Sequence, residues 1–385
     1  MNQLKHTNGS FFHKGDWTLF LLCVCANIYG LILIYSATRY TPDLHSAVIK
    51  QIFAMLVGFL AFAFFTFVDI ELILERFWPY IAGFNVLFLL LLIPFGNDDG
   101  TGNKSWIEIP GTPFNIQPAE IVKLTFVLLI ALQFSRLRKS GVSRPSSLLQ
   151  TAGHTLCLCA LIFVVSSDMG MALVYMSVFV IIAWAAGVQI LWFLLAIGGV
   201  GGVGFLVWPH LPNYIQMRVM VVLDHSLDPL GKGFQQMRSL LAIGSGQLTG
   251  QGYLRGIQTQ STASSALPAR HTDFIFSVAG EEFGLIGCVL ILAILTTIII
   301  RCIWIARTAH NPLCAYIAVG YAGMLAIQTA LNVGMCLFVF PVVGLTLPFF
   351  SYGGSSLVAL YIAMGILSGV KMRSRPSWLR DRNTT

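Results

Sequence analysis

The sequence has few charged residues. Only 10% of its 385 residues are Asp, Glu, Lys or Arg, and 56% are apolar, whereas soluble domains contain about 25% charged residues. This deficit excludes a soluble domain of ordinary composition and predicts a polytopic membrane protein. The net charge of +7 comes from short basic clusters beside apolar runs, so it does not indicate nucleic-acid binding.

Several motifs of known chemistry are also missing. The sequence has no Walker loop, no GxGxxG after a strand and no HExxH, so nucleotide-driven chemistry is not encoded. The eight cysteines all lie within apolar runs and are predicted to be small core residues rather than metal ligands. The first apolar run, 17–37, is long enough to be a retained span instead of a cleaved signal peptide.

Ten apolar runs are long enough to cross a bilayer, which takes about 20 residues. They lie at about 17–37, 49–68, 78–95, 118–135, 147–166, 168–187, 188–208, 274–306, 312–338 and 354–372. The eighth is longer than one crossing needs, so it is predicted to tilt or to extend beyond the bilayer. We therefore expect an all-α polytopic membrane protein with a single domain spanning 1–385. Its large extracytoplasmic loop, at about 209–273, joins spans seven and eight, and its tail begins at about 373.

Orientation follows from Lys and Arg near the ends of the spans. With ten spans both termini share one side, which collects most of these residues: Lys5, Lys14, Arg76, Arg136, Arg138, Lys139, Arg144, Arg301, Arg307, Lys371, Arg373, Arg375, Arg380 and Arg382. The short segments on the other side carry only Arg39, Lys50 and Lys104. The pattern predicts cytoplasmic termini, with loops 96–117, 209–273 and 339–353 facing outward.

The loop at 209–273 is far longer than an ordinary connection, which points to function. Within it, 234–243 alternates apolar and polar residues as a helix on the membrane surface would. The segment 340–356 contains two prolines and three glycines, and irregular backbone at membrane depth must be shielded by protein or line a cavity. A re-entrant loop is predicted there, with the hydroxyls of Ser351, Tyr352, Ser355 and Ser356 offered to a substrate.

Asp273 stands where the polar "LPARHT" meets the apolar run "FIFSV". An Asp in front of a helix is also a good N-cap. The alternative is functional, because a partly desolvated carboxylate has a raised pKa and is a stronger base. Arg270, His271 and Thr272 add polarity beside it. We expect this carboxylate to accept a proton from a hydroxyl of a lipid-linked substrate.

Three further acidic residues lie at or inside predicted spans. Glu281 and Glu282 need partners or a wet cavity, and Lys123 is the predicted partner in a structural ion pair between helices. Asp168 either caps the sixth span or lines one outward cavity with Asp273. In that cavity the two carboxylates are candidate ligands for a divalent cation, Mg²⁺ or Mn²⁺.

The remaining candidates each have a structural alternative. Trp106, next to Lys104, either anchors the membrane interface or covers a sugar or pyrophosphate. Gln328 and Asn332 share a helical face and are predicted to tie helices together. The loop cations are suited to a lipid pyrophosphate, or are ordinary solvated charges: Arg218, Lys232, Arg238, Arg255 and Arg270.

Four long motifs together resemble one family. "FNIQPAEIVKL", "LDHSLDPLGKGFQQMRSLLAIGSGQLTGQG", "LPARHTDFIFSVAGEEFGLIG" and "GLTLPFFSYGGSS" occur in the order found in the SEDS proteins (RodA, FtsW and the sporulation protein SpoVE), and the likeness covers nearly the whole chain. The resemblance implies ten spans with cytoplasmic termini. It also implies a glycosyltransferase that polymerises lipid II on the outer face of the membrane, beside a class B penicillin-binding protein that crosslinks the glycan.

The resemblance also implies roles for individual residues. Asp273 corresponds to the family's essential aspartate, and Trp106, Glu120, Lys123 and Asp168 match other family positions. Three departures are evident: Ser105 replaces a basic residue, which puts one phosphate contact in doubt, "SSDMGM" at 166–171 stands where the family has "QPDLGT", and Val343 replaces a threonine. The N-terminal segment and short ends are more similar to elongation proteins than to division proteins. A lipid II flippase and a non-catalytic scaffold for a transpeptidase stay as alternatives.

Overall fold

The computed structural model describes residues 15–40, 44–97, 104–108, 115–210, 213–224, 227–228, 233–262 and 266–374. The helices are α1 (Trp17–Thr38), α2 (Leu44–Phe67), α3 (Ile70–Leu90), α4 (Leu92–Phe95), α5 (Pro118–Leu137), α6 (Pro145–Ser166), α7 (Met169–Ala185), α8 (Ile190–Val207), α9 (Asn213–Leu223), α10 (Phe234–Ser245), α11 (Ile257–Gln260), α12 (Ile275–Thr308), α13 (Pro312–Cys336) and α14 (Gly354–Arg373). Within this described part, nine helices are long and apolar enough to cross a membrane. A tenth apolar helix, α7, has 17 residues, so a count of ten spans stays a prediction.

Local signals account for most helix starts. Asp16, Asp69, Asp168 and Asn311 each accept a hydrogen bond from a backbone N–H in the first turn of a helix. Proline occupies the first position of α5, α6 and α13, where its missing N–H costs nothing. The third span begins at Ile70, before the predicted apolar run, because Asp69 caps a first turn that carries charged residues.

The core of the bundle is formed by α5, α13 and α14, whose residues are mostly buried. Helix α14 packs most extensively against α2, and α13 packs against α12, α7 and α5. Helix α8 lies at the periphery and has no buried residue. Since apolar surface facing lipid is not penalised, the peripheral helices keep exposed Leu, Ile and Phe side chains on their outer faces.

Three short strands stand at one end of the bundle: β1 (Gly96–Asn97), β2 (Trp106–Glu108) and β3 (Asn115–Ile116). They pair antiparallel in the order β1-β2-β3, with Ile107 opposite both Gly96 and Ile116. The sheet leads directly into α5. Pairing of the three strands therefore fixes the position of Trp106 relative to the start of α5.

Helix α12 is broken near its start. At Gly284 the backbone leaves the helical region (φ 64, ψ −158). There the segment after α10 supplies the missing partners: Gln251 and Gly252 donate to the carbonyls of Glu281 and Glu282, and the N–H of Leu285 donates to Gln247. The predicted loop thus completes the backbone of the longest helix.

Replacing Gly284 by alanine is expected to destabilise the protein by about 2–3 kcal/mol. Its φ and ψ lie in a region that is essentially restricted to glycine, and an added Cβ would stand 2.4 Å from the Gly250 nitrogen. Thermal unfolding in detergent measures the effect. Gly153→Ala, with no atom within 4 Å of the added Cβ, is the matched control, and equal behaviour of the two variants would contradict the argument.

Candidate functional site

Asp273 lies in the turn directly before α12 and is half-buried. The capping alternative for this residue is wrong, because the N-cap of α12 is Phe274 and no side chain caps the helix. The Asp273 carboxylate is therefore not engaged in capping α12. It is adjacent to Gly344, where an added Cβ would lie 3.9 Å from Asp273 Oδ2.

Helix α13 holds the main chain of Asp273. Asn332 Nδ2 donates to the Asp273 carbonyl at 2.8 Å and to the Leu345 carbonyl at 2.7 Å. Asn332 thus ties two loops to one helix, as a residue predicted to join elements would. Gln328, one turn earlier, is also buried, and its Oε1 has no hydrogen-bond partner among the described residues.

The loop after α13 holds the two preceding residues. Ser351 Oγ donates to the Thr272 carbonyl at 2.5 Å and accepts from the Leu347 N–H at 2.8 Å. The Tyr352 N–H donates to the His271 carbonyl at 2.9 Å, and the two rings lie 5.6 Å apart. Three consecutive carbonyls at 271–273 are therefore each fixed from outside their own turn.

Asp168 lies near enough to Asp273 for its charge to act on that carboxyl group. It caps α7 by accepting from the Met171 N–H at 2.9 Å, and its Oδ2 accepts from Gln117 Nε2 at 3.2 Å. An added Cβ at Gly170 would lie 2.3 Å from the Val343 carbonyl, so the start of α7 lies directly against the loop that contains Gly344. Both alternatives for Asp168, cap and cavity partner of Asp273, are compatible with this placement.

The two carboxyl groups have raised pKa values. Burial raises the pKa of Asp273 to about 6, with a further increase from the negative charge of Asp168 and a decrease from the hydrogen bond of Thr272. Burial also raises the pKa of Asp168 to about 6, opposed by the N–H of Met171. Groups with such values exchange protons near neutral pH.

The structure brings Ser355 to the same end of the bundle. Its Oγ accepts from the Gln117 N–H at 3.4 Å, and Gln117 in turn reaches Asp168. Ser356 approaches Thr346 Oγ1 at 3.5 Å. The predicted re-entrant segment has irregular backbone at 341–353 and packs between helices. Leu347 and Phe350 of this segment lie in the hydrophobic core.

The strand that contains Trp106 lies near Asp168. Ser105 Oγ donates to the Ser166 carbonyl at 3.5 Å, which brings β2 against the chain just before Asp168. Trp106 is half-buried and Lys104 is exposed. Their contact with substrate stays a prediction.

Arg270 has an evident structural engagement. Its guanidinium donates to the carbonyls of Ala37 at 2.8 Å, Ser261 at 2.7 Å and Gln258 at 3.3 Å. Arg238 lies over the Phe234 ring, and Arg255 is exposed. Lys232 and the side chain of Arg218 lie outside the described residues.

The predicted ion pair between Lys123 and Glu281 or Glu282 is wrong. Lys123 bonds Glu120 in its own helix at 2.7 Å, with both side chains buried. Glu281 accepts from the N–H groups of Gln258 and Thr259 and from Thr259 Oγ1.

Glu282 instead accepts from Ser36 Oγ at 2.5 Å and Gln260 Nε2 at 2.9 Å. Sequence spacing cannot reveal such partners, because they come from the long loop and from α1. Hydroxyl and N–H donors from these other segments therefore take the place of the expected lysine.

Two glutamines at the site were missed by the motif analysis. Gln51, fully buried in α2, donates to the Ser351 carbonyl at 3.3 Å and accepts from the Gly353 N–H at 3.2 Å. Gln117 links Asp168 to Ser355. A buried polar residue in an apolar run was the available signal for Gln51, and the position before Pro118 was the signal for Gln117.

A family model described as "Cell cycle protein", for FtsW, RodA and SpoVE, matches residues 16–376. The chain belongs to this family. A relative named probable peptidoglycan glycosyltransferase FtsW, from Geobacter metallireducens, is 31% identical over 97% of this chain and 99% of its own. Stage V sporulation protein E of Bacillus subtilis is 33% identical, with 94% and 98% covered. Peptidoglycan glycosyltransferase MrdB of Escherichia coli is 32% identical, with 92% and 93% covered.

Solved structures of the family have the same fold. A chain from a structure titled "Structural coordination of polymerization and crosslinking by a peptidoglycan synthase complex" matches with a TM-score of 0.78 and 29% identity, covering 96% of this chain and 99% of that one. Rod shape determining protein RodA of Thermus thermophilus matches with a TM-score of 0.69 and 25% identity, covering 95% and 99%. The family membership confirms the resemblance and a multi-pass membrane protein of the all-α class.

Replacing Asp273 by asparagine is expected to raise thermal stability at pH 7.5. Ionising a carboxyl whose pKa rises from 3.8 to about 6 costs the folded state at most about 3 kcal/mol. That penalty is absent below the unfolded pKa, grows as pH rises from the unfolded pKa to the folded pKa, and is complete above the folded pKa. The gain in Tm should therefore shrink at pH 5, where Asp273 is largely protonated. A gain of equal size at both pH values would contradict the assignment.

Proposed function

We propose that this chain polymerises lipid II into glycan strands and that Asp273 is its general base. The observation that carries the proposal is the Asp273 carboxylate itself: half-buried, uncommitted to a helix cap, and supported by three fixed carbonyls. A pKa of about 6 leaves it ionised at neutral pH and still basic enough to take a proton. Relatives named peptidoglycan glycosyltransferase support the reaction class.

The reaction is a displacement at a sugar carbon. The 4-hydroxyl of an incoming lipid II acceptor attacks the anomeric carbon of the growing chain, and its proton passes to Asp273. The bond from that carbon to the pyrophosphate oxygen breaks, and undecaprenyl pyrophosphate leaves with the electron pair. The configuration inverts from α to β. General-base assistance of this kind contributes roughly 10²–10⁴-fold.

Asp168 has a second role in the proposal. Its charge raises the pKa of Asp273 and so keeps the base matched to neutral pH. The two carboxylates are hard oxygen donors, which suits Mg²⁺ or Mn²⁺ held by carboxylates and substrate phosphates. When bound, such a cation would neutralise charge on the pyrophosphate leaving group.

Lipid II transport is the alternative, and one observation disfavours it. A polar path through the bilayer needs groups that are accessible to the cargo. Lys123, Glu281 and Glu282 are buried, and each bonds residues of its own protein. In the proposal these three side chains stabilise the bundle by internal hydrogen bonds and an ion pair. The substrate binds instead at the polar cluster around Asp273.

We place the Asp273 end on the outer face of the inner membrane, with both termini in the cytoplasm. Arg301 and Lys371 support this orientation. Both form ion pairs with Asp16, the N-cap of α1, and these pairs lie at the end of the bundle opposite Asp273.

The related synthase-complex structure supports a class B penicillin-binding protein as partner. The FtsW, SpoVE and MrdB relatives are similarly identical to this chain, so elongation rests on the N-terminal resemblance, and complementation of cells depleted of RodA or FtsW tests it.

Asp273→Asn is expected to lower polymerisation of lipid II by purified, detergent-solubilised protein by on the order of 10²-fold or more. The variant keeps size and hydrogen bonding but cannot accept the proton. Glu75→Gln, an exposed acid on α3, is the matched control. Normal glycan length and rate in Asp273→Asn would refute the base assignment. Activity without a bilayer in the unmodified protein would exclude a purely transporting or scaffolding role.

The rate of polymerisation is expected to fall as pH decreases through about 6, because protonated Asp273 cannot act as a base. In Asp168→Asn the acidic limb should move to lower pH, since removal of a like charge lowers the pKa of Asp273. Asparagine retains the capacity to cap α7. Initial rates across pH 5–8 locate the acidic limb of the unmodified protein and of the variant. A limb that stays in place or moves to higher pH in Asp168→Asn would contradict the coupling between the two carboxyl groups.

A further inference from the structure

Three side chains with different ligand atoms converge at the end of the bundle opposite Asp273. Glu71 lies in the first turn of α3, His310 in the connection between α12 and α13, and Cys314 in the first turn of α13. His310 Nε2 is 3.1 Å from the Glu71 carboxylate, and Cys314 Sγ is 3.2 Å from Glu71 Oε1. Their ligand atoms all lie within 4.8 Å of one another. We infer that Glu71, His310 and Cys314 form a binding site for a divalent transition metal, with zinc as the best match.

The spacing of these atoms suits one tetrahedral ion. Zinc binds thiolate sulfur at about 2.3 Å and carboxylate oxygen or imidazole nitrogen at about 2.0–2.2 Å, which separates neighbouring ligands by roughly 3.3–3.8 Å. The two measured separations are close to that range, and small side-chain rotations complete it. Three protein ligands leave the fourth position to water.

The donor set selects the kind of metal. A thiolate and an imidazole favour Zn²⁺ and related ions, whereas Mg²⁺ and Ca²⁺ prefer oxygen ligands alone. Cys314 is buried and His310 is exposed, so the site opens to solvent on the histidine side. An ion from solution therefore has a route to the thiol.

The charge balance around Glu71 also favours a cation. In the described part of the chain, the basic side chain in contact with Glu71 is His310, which carries a charge only when protonated, and the nearby Arg373 is engaged with the Phe67 carbonyl and Asp69. A divalent ion would neutralise the carboxylate and the thiolate together. Without one, the same contacts form a hydrogen-bonded cluster in which the thiol, the imidazole and the Asn311 amide all face one carboxylate.

A bound metal would connect elements that are distant in the chain. The His310–Glu71 and Cys314–Glu71 contacts span 239 and 243 sequence positions, and they link the first turn of α3 to the α12–α13 connection and to the first turn of α13. Asn311 already orders this turn by capping α13 through the Cys314 N–H at 2.8 Å. Because the ligands belong to already ordered turns, the site needs little rearrangement to bind.

The test uses the full chain in detergent, freed of affinity tags and stripped of metal, with ZnCl₂ as the probe. We expect one zinc per chain by elemental analysis after removal of excess metal, and a Tm that rises with free zinc. Titration against a competing chelator should show binding weakened by on the order of 100-fold in Cys314→Ser and in His310→Ala, since loss of a ligand costs at least as much as loss of its supporting partner. Cobalt should give a thiolate charge-transfer band in the unmodified protein and none in Cys314→Ser.

Cys302→Ser is the matched control, because Cys302 is a buried thiol near the same end whose contact is the Met364 sulfur at 3.9 Å. It should bind zinc normally. Failure of the unmodified protein to retain zinc, or equal affinity in Cys314→Ser, would overturn the proposal and leave the hydrogen-bonded cluster. His310 is exposed, so His310→Ala tests the site without disturbing the core. Asp273→Asn should retain zinc, which separates this test from that of the polymerase activity.

Discussion

The structure depends on one constraint: a polar group buried in the apolar bundle is costly unless it finds a partner inside the protein. The carboxylates of Glu281 and Glu282 satisfy it with N–H and hydroxyl donors from the segment 258–260 and from α1. The break at Gly284 satisfies it with backbone groups from the segment 247–252. The long loop is thus part of the bundle's hydrogen bonding as well as a connection.

The same constraint organises the site. Asn332, Ser351 and Gln51 are buried polar residues whose hydrogen bonds end on loop backbone, and together they hold 271–273 against 345–353. A carboxylate held by an ordered main chain needs little reorganisation when a substrate arrives. Gly170 permits the close approach of α7 to the 343–345 segment, since an added Cβ would lie 2.3 Å from the Val343 carbonyl oxygen. Gly344 has φ 66, a backbone conformation that L side chains rarely adopt.

Asp273 combines a cost to folding with a benefit to chemistry. Its burial disfavours the ionised form that a general base requires, and the neighbouring charge of Asp168 adds to that effect. The surrounding hydrogen bonds stabilise the backbone rather than neutralise the carboxylate. A residue retained despite a cost in stability is typical of functional sites.

Composition and apolar runs were sufficient to predict an all-α membrane protein, and four long motifs were sufficient to predict its family, because bilayer thickness and motif length leave few alternatives. They also placed Asp273, Asp168 and the 340–356 segment at the site. They did not pair Lys123 with Glu120, nor did they bring Gln51 or Gln117 to the site or Cys314 to Glu71 and His310. The Lys123–Glu120 pair lies within one helix at i,i+3 spacing, so local sequence was sufficient to indicate it. The other contacts join segments up to about 300 residues apart, and only the packing of the helices decides which of those side chains meet.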